Sequence, residues 1–519
     1  MSRLEKSFKN IIFAFGNTVF SSFLGFISRT VFIYTLGSSY LGLSGLLGNV
    51  LGFLSLSELG ISTAIGFSLY KPLAEKDYHS VSAFMTIYRQ AYSVIGMIVA
   101  ISGIILYFFL DFFVTPDQQP YGTDVAYFVF LINIIMGYFL SYKTTLSGSD
   151  NQAYCLVPIS MGFNTVQTLG QIIVLLISKS YIWYLAVQIV SSILMMTAQN
   201  RYITHQYPNV DFYSKEKLLP EQKKTLTKNI GGLIIAKIGD YLVNSTDNLI
   251  ITKLISLSAT GIYSNYLILR NMVNGFIATL FAGVSASMGN VVAVETNQRK
   301  LEVFDTLMFC AFFIYSFEAV CFICLMNPFI EDLWIGSTFV FSPFTVAIIV
   351  INNYLTGLRI PLITMKGAAG TYMEDAWIPF AFSGINLVTS IVLAKYMGVA
   401  GVFLGTIIGS LLTADWYRPV IIYRKVFHAP VQKYYKRYIL YIILGFSYMG
   451  IAFWLCSLIR TPFVVVTFIC KCGIAATLPI ACNMLIFSRT SEFQAIRDMG
   501  SRLWNEISSR FSKNNLASS

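Results

Sequence analysis

The chain has 519 residues, of which 55% are hydrophobic and only 12% are charged. A soluble domain of this size needs far more charge on its surface, so the composition excludes one. The net charge of +11 would suit a nucleic-acid partner, but the basic residues are arranged for a different purpose, set out below.

Apolar stretches of roughly 18 to 27 residues, the length that crosses a bilayer as a helix, recur from end to end. In chain order they predict about fourteen spans, at 10–36, 41–68, 87–110, 124–148, 153–178, 181–200, 229–253, 259–290, 305–327, 341–365, 376–396, 399–423, 438–459 and 462–487. The first run is too long for a signal-peptide core and has no small-residue cleavage site before the next span. It is expected to be a retained helix. The short gaps at 37–40, 178–181 and 396–398 predict tight helical hairpins.

Lys and Arg concentrate in alternate connections. Arg3, Lys6 and Lys9 precede the first span; Lys71, Lys76 and Arg89 follow the second; residues 201–228 hold Arg201, Lys215, Lys217, Lys223, Lys224 and Lys228; and 418–437 continue the pattern. The opposite connections at 111–124 and 327–341 carry acids without a basic residue. By the positive-inside rule both termini are expected in the cytoplasm, which agrees with an even span count. The charge therefore serves topology, and no nucleic-acid partner is expected.

The first span carries Arg29 inside an apolar run, where a charge costs about 2.5 to 3.5 kcal/mol on insertion scales and demands a partner, a cavity or a function. Asn17, Ser21, Gly25 and Ser28 share a face beside it. Span 2 contributes Glu58 flanked by Ser55 and Ser62, and span 5 an uncharged stripe of Asn164, Gln167 and Gln171. Span 7 places Lys237, Asp240, Asn244 and Asp247 on one helix face. Either Asp240 neutralises Lys237 locally, or the four line a water-filled interior. Span 8 aligns Tyr263, Tyr266, Arg270 and Asn274, and span 10 holds Asn352, Thr356 and Arg359, with Pro361 expected to loosen the backbone there.

Arginine's planar fork suits bidentate phosphate binding, while amides and tyrosines suit sugar hydroxyls and ring faces. Arg29, Lys237, Arg270 and Arg359 are thus candidates for binding a diphosphate or acidic sugar. Asn17, Asn164, Gln167, Gln171, Tyr263 and Tyr266 are candidates for facing the sugars. Glu58, Asp240 and Asp247 either bind a coupling Na⁺ or H⁺ or balance the arginines. Interhelical hydrogen bonding is the competing explanation for the amides. Cys321-x-x-Cys324 and Cys470-x-Cys472 lie in apolar spans with no His nearby, so they are expected to be buried packing residues rather than a metal site. No cofactor, metal or catalytic residue is expected, and no phosphate-binding G-x-x-x-x-G-K-[ST] loop is present in the sequence.

The basic segment 201–228 splits the chain after six spans, and the halves echo one another. "RTVFIYTLGSSYLGL" from Arg29 parallels "DNLIITKLISLSATGIY" from Asp247: an ionisable residue, an apolar run, a turn, then Gly42 or Gly261 opening the next helix. Six spans per half make the repeats parallel, as in two-lobed transporters with a site near the midplane. The expected organisation is an N-terminal lobe over 1–200, a cytoplasmic basic linker over 201–228, a second lobe over 229–424, two additional helices over 425–487, and an amphipathic cytoplasmic tail over 488–519.

"LGSSYLGLSGLLGNVLGFLSLSELGISTAIGFSLYKPLAEKD" (36–77), "GIYSNYLILRNMV" (261–273) and "INLVTSIVLAKYMGVAGVFLGTIIGSLL" (385–412) resemble the polysaccharide transporter family, the Wzx-type flippases of the multidrug/oligosaccharidyl-lipid/polysaccharide (MOP) exporter superfamily. The resemblance implies an all-α polytopic fold of two six-helix lobes around a central cationic cavity, plus two C-terminal helices. It implies movement of undecaprenyl-diphosphate-linked oligosaccharide between leaflets of a bacterial plasma membrane, with Arg29 and Arg270 on the diphosphate or acidic sugars. Partners would be the lipid-linked substrate, membrane lipids and polysaccharide-assembly proteins such as a polymerase. A lipid II flippase shares both charge and helix count. A cation-coupled multidrug exporter would show a more acidic, aromatic cavity and about twelve spans. A membrane polymerase is disfavoured by the short outward loops, so no enzyme is expected.

Overall fold

A computed structural model describes residues 3–54, 60–214, 246–371 and 377–494, with the single positions 218, 223, 374 and 497. All regular structure among these residues is helical. Sixteen principal helices are α1 (Arg3–Leu36), α2 (Ser38–Leu54), α3 (Ile61–Glu75), α4 (Tyr78–Tyr107), α5 (Thr123–Ser141), α6 (Val157–Ser178), α7 (Tyr181–Gln206), α8 (Leu257–Val294), α9 (Asn297–Pro328), α10 (Pro343–Leu358), α11 (Ile360–Ala369), α12 (Ile378–Met397), α13 (Val399–Leu412), α14 (Ala414–Ile422), α15 (Gln432–Leu458) and α16 (Val464–Phe487). Among the described residues, eleven helical stretches are long and apolar enough to cross a membrane. The spans expected at 41–68 and 229–253 fall partly outside those residues, as does most of the tail.

The chain divides into two compact units, one of residues 1–279 with 379–405 and the other of 280–378 with 406–519. In the first, α1 packs on α6, α6 on α7, α7 on α5, α5 on α4 and α4 on α3. Lipid gives helices no hydrophobic reason to associate, so close approach at small residues and interhelical hydrogen bonds hold such packing. Gly96 and Gly103 of α4 face Phe139 and Leu131 of α5, and the Tyr127 hydroxyl donates to the Gly103 carbonyl at 2.6 Å. The predicted hairpins form: Gly37 (φ +83°), Lys179 (φ +49°) and Gly398 (φ +57°) take the left-handed conformation that reverses the chain between helices.

Asp77 caps α4, its carboxylate accepting from the Ser80 amide at 3.1 Å. Hydrogen bonds from Ser80, first through its side chain and then its backbone, hold this carboxyl below the usual aspartate range. A lowered folded-state pKa adds stability above the ordinary pKa and loses it as pH falls through the folded one. Asp77→Ala is expected to cost about 1 kcal/mol, read as a lowered midpoint of thermal unfolding in detergent at pH 7. The wild-type advantage should shrink on acidification below the ordinary aspartate pKa.

In the second unit α9 is central, packed by α10, α11, α15 and α16. Its aromatic face holds the unit together: Phe312 stacks on Tyr441 with centroids 4.3 Å apart, and the Tyr315 ring fills the space left by Gly357. Tyr354 donates to the Tyr441 carbonyl at 2.6 Å, across the gap left by Gly445. At one end of the unit Arg437 pairs with Asp305 at 2.9 Å and Glu492 at 2.8 Å. Phe493, at the start of the expected tail, lies against Phe309.

Two long apolar runs are broken. The span expected at 341–365 divides at Arg359 into α10 and α11, as Pro361 dictates: it lacks an N–H and its ring excludes the carbonyl four residues before it. The run over 399–423 divides at Thr413 into α13 and α14, where the sequence predicts one helix. Asp415, 4% exposed, begins the second piece, and its carboxylate accepts from Ser410 at 3.2 Å. A short helix start that presents backbone N–H groups tolerates a carboxylate there.

Candidate functional site

Arg29 lies about two turns before the end of α1 at Leu36, with Ser21, Gly25 and Ser28 lining the space beside it. Its Nε donates to Asn265 Oδ1 at 3.2 Å, and its Nη2 donates to the same oxygen at 3.0 Å and to the Ser264 hydroxyl. Both acceptors are neutral, and both belong to α8. Among the described residues no carboxylate lies within ion-pair distance of Arg29. A guanidinium carries five donors, and these bonds leave Nη1 without a protein acceptor in the described residues. Arg29 is thus a half-buried cation whose hydrogen-bond partners among the described residues are neutral.

Arg29 lines a cavity of about 330 Å³ together with Asn164, Gln167 and Gln171 of α6 and Tyr184 of α7. The amide stripe expected from span 5 therefore opens onto the same space as the arginine. Glycine and serine on α1 and three amides on α6 give walls that donate and accept hydrogen bonds without adding charge. Gln171 is 3% exposed. The volume is at the lower end for small-molecule pockets.

The other sequence candidates are distributed differently. Asn17 accepts from Ser21 at 3.4 Å, one turn from the cavity wall. Tyr263 and Tyr266 are buried, with Tyr263 tilted against Phe403 at 4.7 Å, so both pack against protein. Among the described residues the Arg270 Nε is buried without a hydrogen-bond partner. Asp247 accepts from Asn386 Nδ2 at 3.4 Å. Arg359 belongs to the second unit and pairs with Asp415 at 3.4 Å, while also donating to Thr356 Oγ1 at 2.8 Å. Glu58, Lys237 and Asp240 lie outside the described residues.

Sequence reasoning missed Ser264, Asn265, Asn386 and Asp415. Ser264 and Asn265 sit between two tyrosines at the start of a long helix and carry no charge to mark them. Asn386 is an uncharged residue in the otherwise apolar start of the 385–412 segment, and it is fully buried. Its Oδ1 accepts from Ser390 at 2.7 Å. Ser390 in turn fills the space opposite Gly405 in the α12–α13 hairpin. Asp415 reads as one more charge near the basic segment that starts at Arg418. None of the eight cysteines is in a disulfide, and among the described residues no cluster of His, Cys, Asp and Glu is arranged for a metal.

The halves of the sequence echo meet in space. A Cβ added at Gly42 would overlap the carbonyl oxygen of Leu257, and one at Gly261 would overlap the carbonyl oxygen of Ser38. Ser38 precedes Gly42 by four residues, as Leu257 precedes Gly261, so the contact is reciprocal. Between the two crossings the Ser38 and Ser258 hydroxyls hydrogen-bond at 2.9 Å. Only glycine permits backbones to approach this closely, and α2 and α8 are in direct main-chain contact beside the helix that carries Arg29.

No family model matches the chain, and no curated protein matches it. Solved structures do. One is the lipid II flippase MurJ in an inward closed conformation, with 14% identity, a TM-score of 0.61, and coverage of 92% of this chain and 99% of that one. Another is the inward-facing conformation of a multidrug resistance MATE family transporter of the MOP superfamily, at 13% identity and TM-score 0.59, covering 78% of this chain and 96% of that one. A MATE transporter from Vibrio cholerae matches at 11% identity and TM-score 0.50, over 82% of this chain and 99% of that one. At such identities the likeness carries the fold alone, and the fold agrees with what composition, helix lengths and the paired glycines dictate. The chain is an all-α, multi-pass membrane protein with the fold of the MOP superfamily.

Proposed function

We propose that the protein is a flippase that carries a lipid-linked oligosaccharide, joined to its polyprenyl anchor by a diphosphate, from the basic face of the membrane to the opposite one by alternating access. The observation that supports this reading most is Arg29: a half-buried cation within an apolar span, with no carboxylate beside it among the described residues, in a cavity whose other described polar groups are neutral amides, hydroxyls and a tyrosine. A cation-coupled drug exporter needs the reverse, a carboxylate facing an apolar or aromatic wall.

Carrying a diphosphate and several sugars through hydrocarbon unaided is prohibitive, since even one uncompensated buried ion costs several kcal/mol after relaxation. The Arg29 fork replaces water on the phosphoryl oxygens, and Asn164, Gln167 and Gln171 replace it on the sugars, while the lipid tail stays in the bilayer. Arg29 is already bonded to α8, so a phosphate takes its donors in exchange for Ser264 and Asn265. That exchange releases α1 from α8, which couples arrival of the anion to movement of the helices. The required condition, a differential interaction of the ligand with two states, is then met at one side chain. Arg270 would receive the anion on the α8 side. Asp247, held by Asn386, is the carboxylate proposed for a coupling Na⁺ or H⁺. The setting this assigns is a bacterial plasma membrane, with the basic segments and both termini in the cytoplasm.

The test is depletion of the protein in its host, followed by an outside-only sugar-modifying enzyme that reports which leaflet holds the lipid-linked glycan. Complete units trapped on the cytoplasmic side are expected, and their chemistry would distinguish a polysaccharide repeat from lipid II. Single units that reach the outer face and remain unpolymerised would transfer the activity to polymerisation. Normal glycan in both leaflets would leave the drug-exporter reading standing.

A further inference from the structure

A second cavity, of about 570 Å³, lies in the first unit at the end where α5 and α7 both finish, and it is lined by Lys143, Thr197, Asn200, Arg201 and His205 among others. It shares no residue with the Arg29 cavity. Lys143 is 8% exposed. Its ammonium donates to Thr204 Oγ1 at 2.7 Å and stands 4.0 Å from the centre of the Phe212 ring. Among the described residues, neither Lys143, Arg201 nor His205 has a carboxylate within ion-pair distance.

Two helix C-termini, each worth roughly half a negative charge, offset about one of these cations. Lys143 and Arg201 together supply two, before any contribution from His205. The cavity therefore retains at least one uncompensated positive charge, with Thr197 and Asn200 beside it as neutral hydrogen-bonding groups.

What lies next to the cavity identifies the anion it fits. Along α7, Trp183, Val190 and Leu194 are 63%, 57% and 52% exposed, and they are spaced by seven and four residues. Arg201 follows Leu194 by seven. At helical periodicity these residues form one stripe; at 1.5 Å per residue Leu194 and Val190 lie about 10 and 16 Å from Arg201, within one leaflet, and Trp183 stands at the opposite interface. Such a stripe suits an acyl chain, and the cavity at its foot suits the headgroup of that chain.

We propose that this cavity is a binding site for the phosphate of an anionic phospholipid in the leaflet on the basic side of the membrane, with Lys143 and Arg201 on the phosphate and the acyl chain along Leu194 and Val190. Basic pockets between helices at the inner face bind lipid headgroups on the same physical grounds. The site is independent of the transported substrate and would stand if the flippase reading failed.

The experiment is native mass spectrometry of the full chain in detergent, with phosphatidylglycerol or phosphatidylcholine as probe. Preferential retention of phosphatidylglycerol is expected. Arg201→Gln should reduce it about fivefold, and Lys143→Met with Arg201→Gln roughly 25-fold, from about a fivefold contribution per cation near the surface. Lys143 is buried and its variant risks misfolding, so the exposed Arg201 carries the test alone. Lys436→Gln, on the basic segment outside the cavity, should leave retention unchanged. Equal retention of the two lipids, retention insensitive to Arg201→Gln, or an equal loss in Lys436→Gln would overturn the site. Displacement of phosphatidylglycerol by inorganic phosphate, with a phosphate adduct in its place, would assign the cavity to a free anion and overturn the lipid.

Discussion

Arg29→Ala is expected to reduce transport at least thirtyfold while the protein remains folded in the membrane. The two halves of that expectation have separate physical sources. Removing one member of a buried, hydrogen-bonded charge pair costs about 2 to 5 kcal/mol, and in the proposed mechanism that pair exists only when the diphosphate is bound. The empty protein loses much less. Among the described residues Arg29 has no carboxylate partner to leave stranded, and alanine removes an insertion penalty of about 2.5 to 3.5 kcal/mol. The debit is the Asn265 and Ser264 acceptors, which the emptied cavity leaves to water. Arg29→Lys should fall in between, because it keeps the charge but gives up the planar fork. The check is polymer export set against membrane abundance and the unfolding midpoint of the purified variant. Full export in Arg29→Ala would remove the residue from the site, and loss of the protein from the membrane would make its role structural.

Gly42→Leu is expected to change the conformational equilibrium of the protein by at least tenfold. A side chain at Gly42 collides with the main-chain carbonyl of Leu257, which has no rotamer by which to escape. Overpacking against movable side chains already costs about 1 to 3 kcal/mol, and a rigid partner takes the upper part of that range. The state with α2 against α8 pays this cost and a state with the helices apart does not, so populations shift in proportion. A disulfide reports it directly. The Ser38 and Ser258 hydroxyls are 2.9 Å apart, which places the two Cβ atoms within reach of a bond. Ser38→Cys with Ser258→Cys should crosslink readily under mild oxidation and arrest transport until reduced. Adding Gly42→Leu should slow crosslinking tenfold or more. The same rate with and without the leucine would show that α2 and α8 do not part.

Much of this architecture is legible in the sequence because a membrane helix is announced by its length and apolarity, and both are local properties. Arg29 stands out because lipid makes any charge conspicuous, and the amide stripe at 164, 167 and 171 because its spacing is helical. The break at Arg359 follows from a proline two residues later. The break at Thr413 has no comparable mark: the apolar run continues through it, and what stabilises the interruption is Asp415 bonded to Ser410 and paired with Arg359, 56 residues earlier in the chain. Partners behave the same way. Nothing in the run from Tyr263 to Tyr266 distinguishes Ser264 and Asn265 from ordinary small polar residues, and their role exists only because α1 lies alongside. Lys143 escaped notice for the opposite reason, since a lysine at a helix end normally stretches to the headgroups, whereas here it is turned inward.

The crossing of α2 and α8 has a consequence for where such a chain comes from. Each helix presents a glycine to the other's carbonyl, four residues from its own, so the two surfaces are the same surface met by itself. That is the signature of an isologous contact, the kind that closes a two-fold dimer. A half-length ancestor bearing this one patch could already have paired with a second copy and enclosed a cavity without any further interface. Fusion of the two copies then freed the residues around the patch to differ. In the register that pairs Gly42 with Gly261, the position of Arg29 corresponds to Asn248, so the two repeats differ where the guanidinium stands. The glycines are what remains of the symmetry because each fits only the backbone that the other permits.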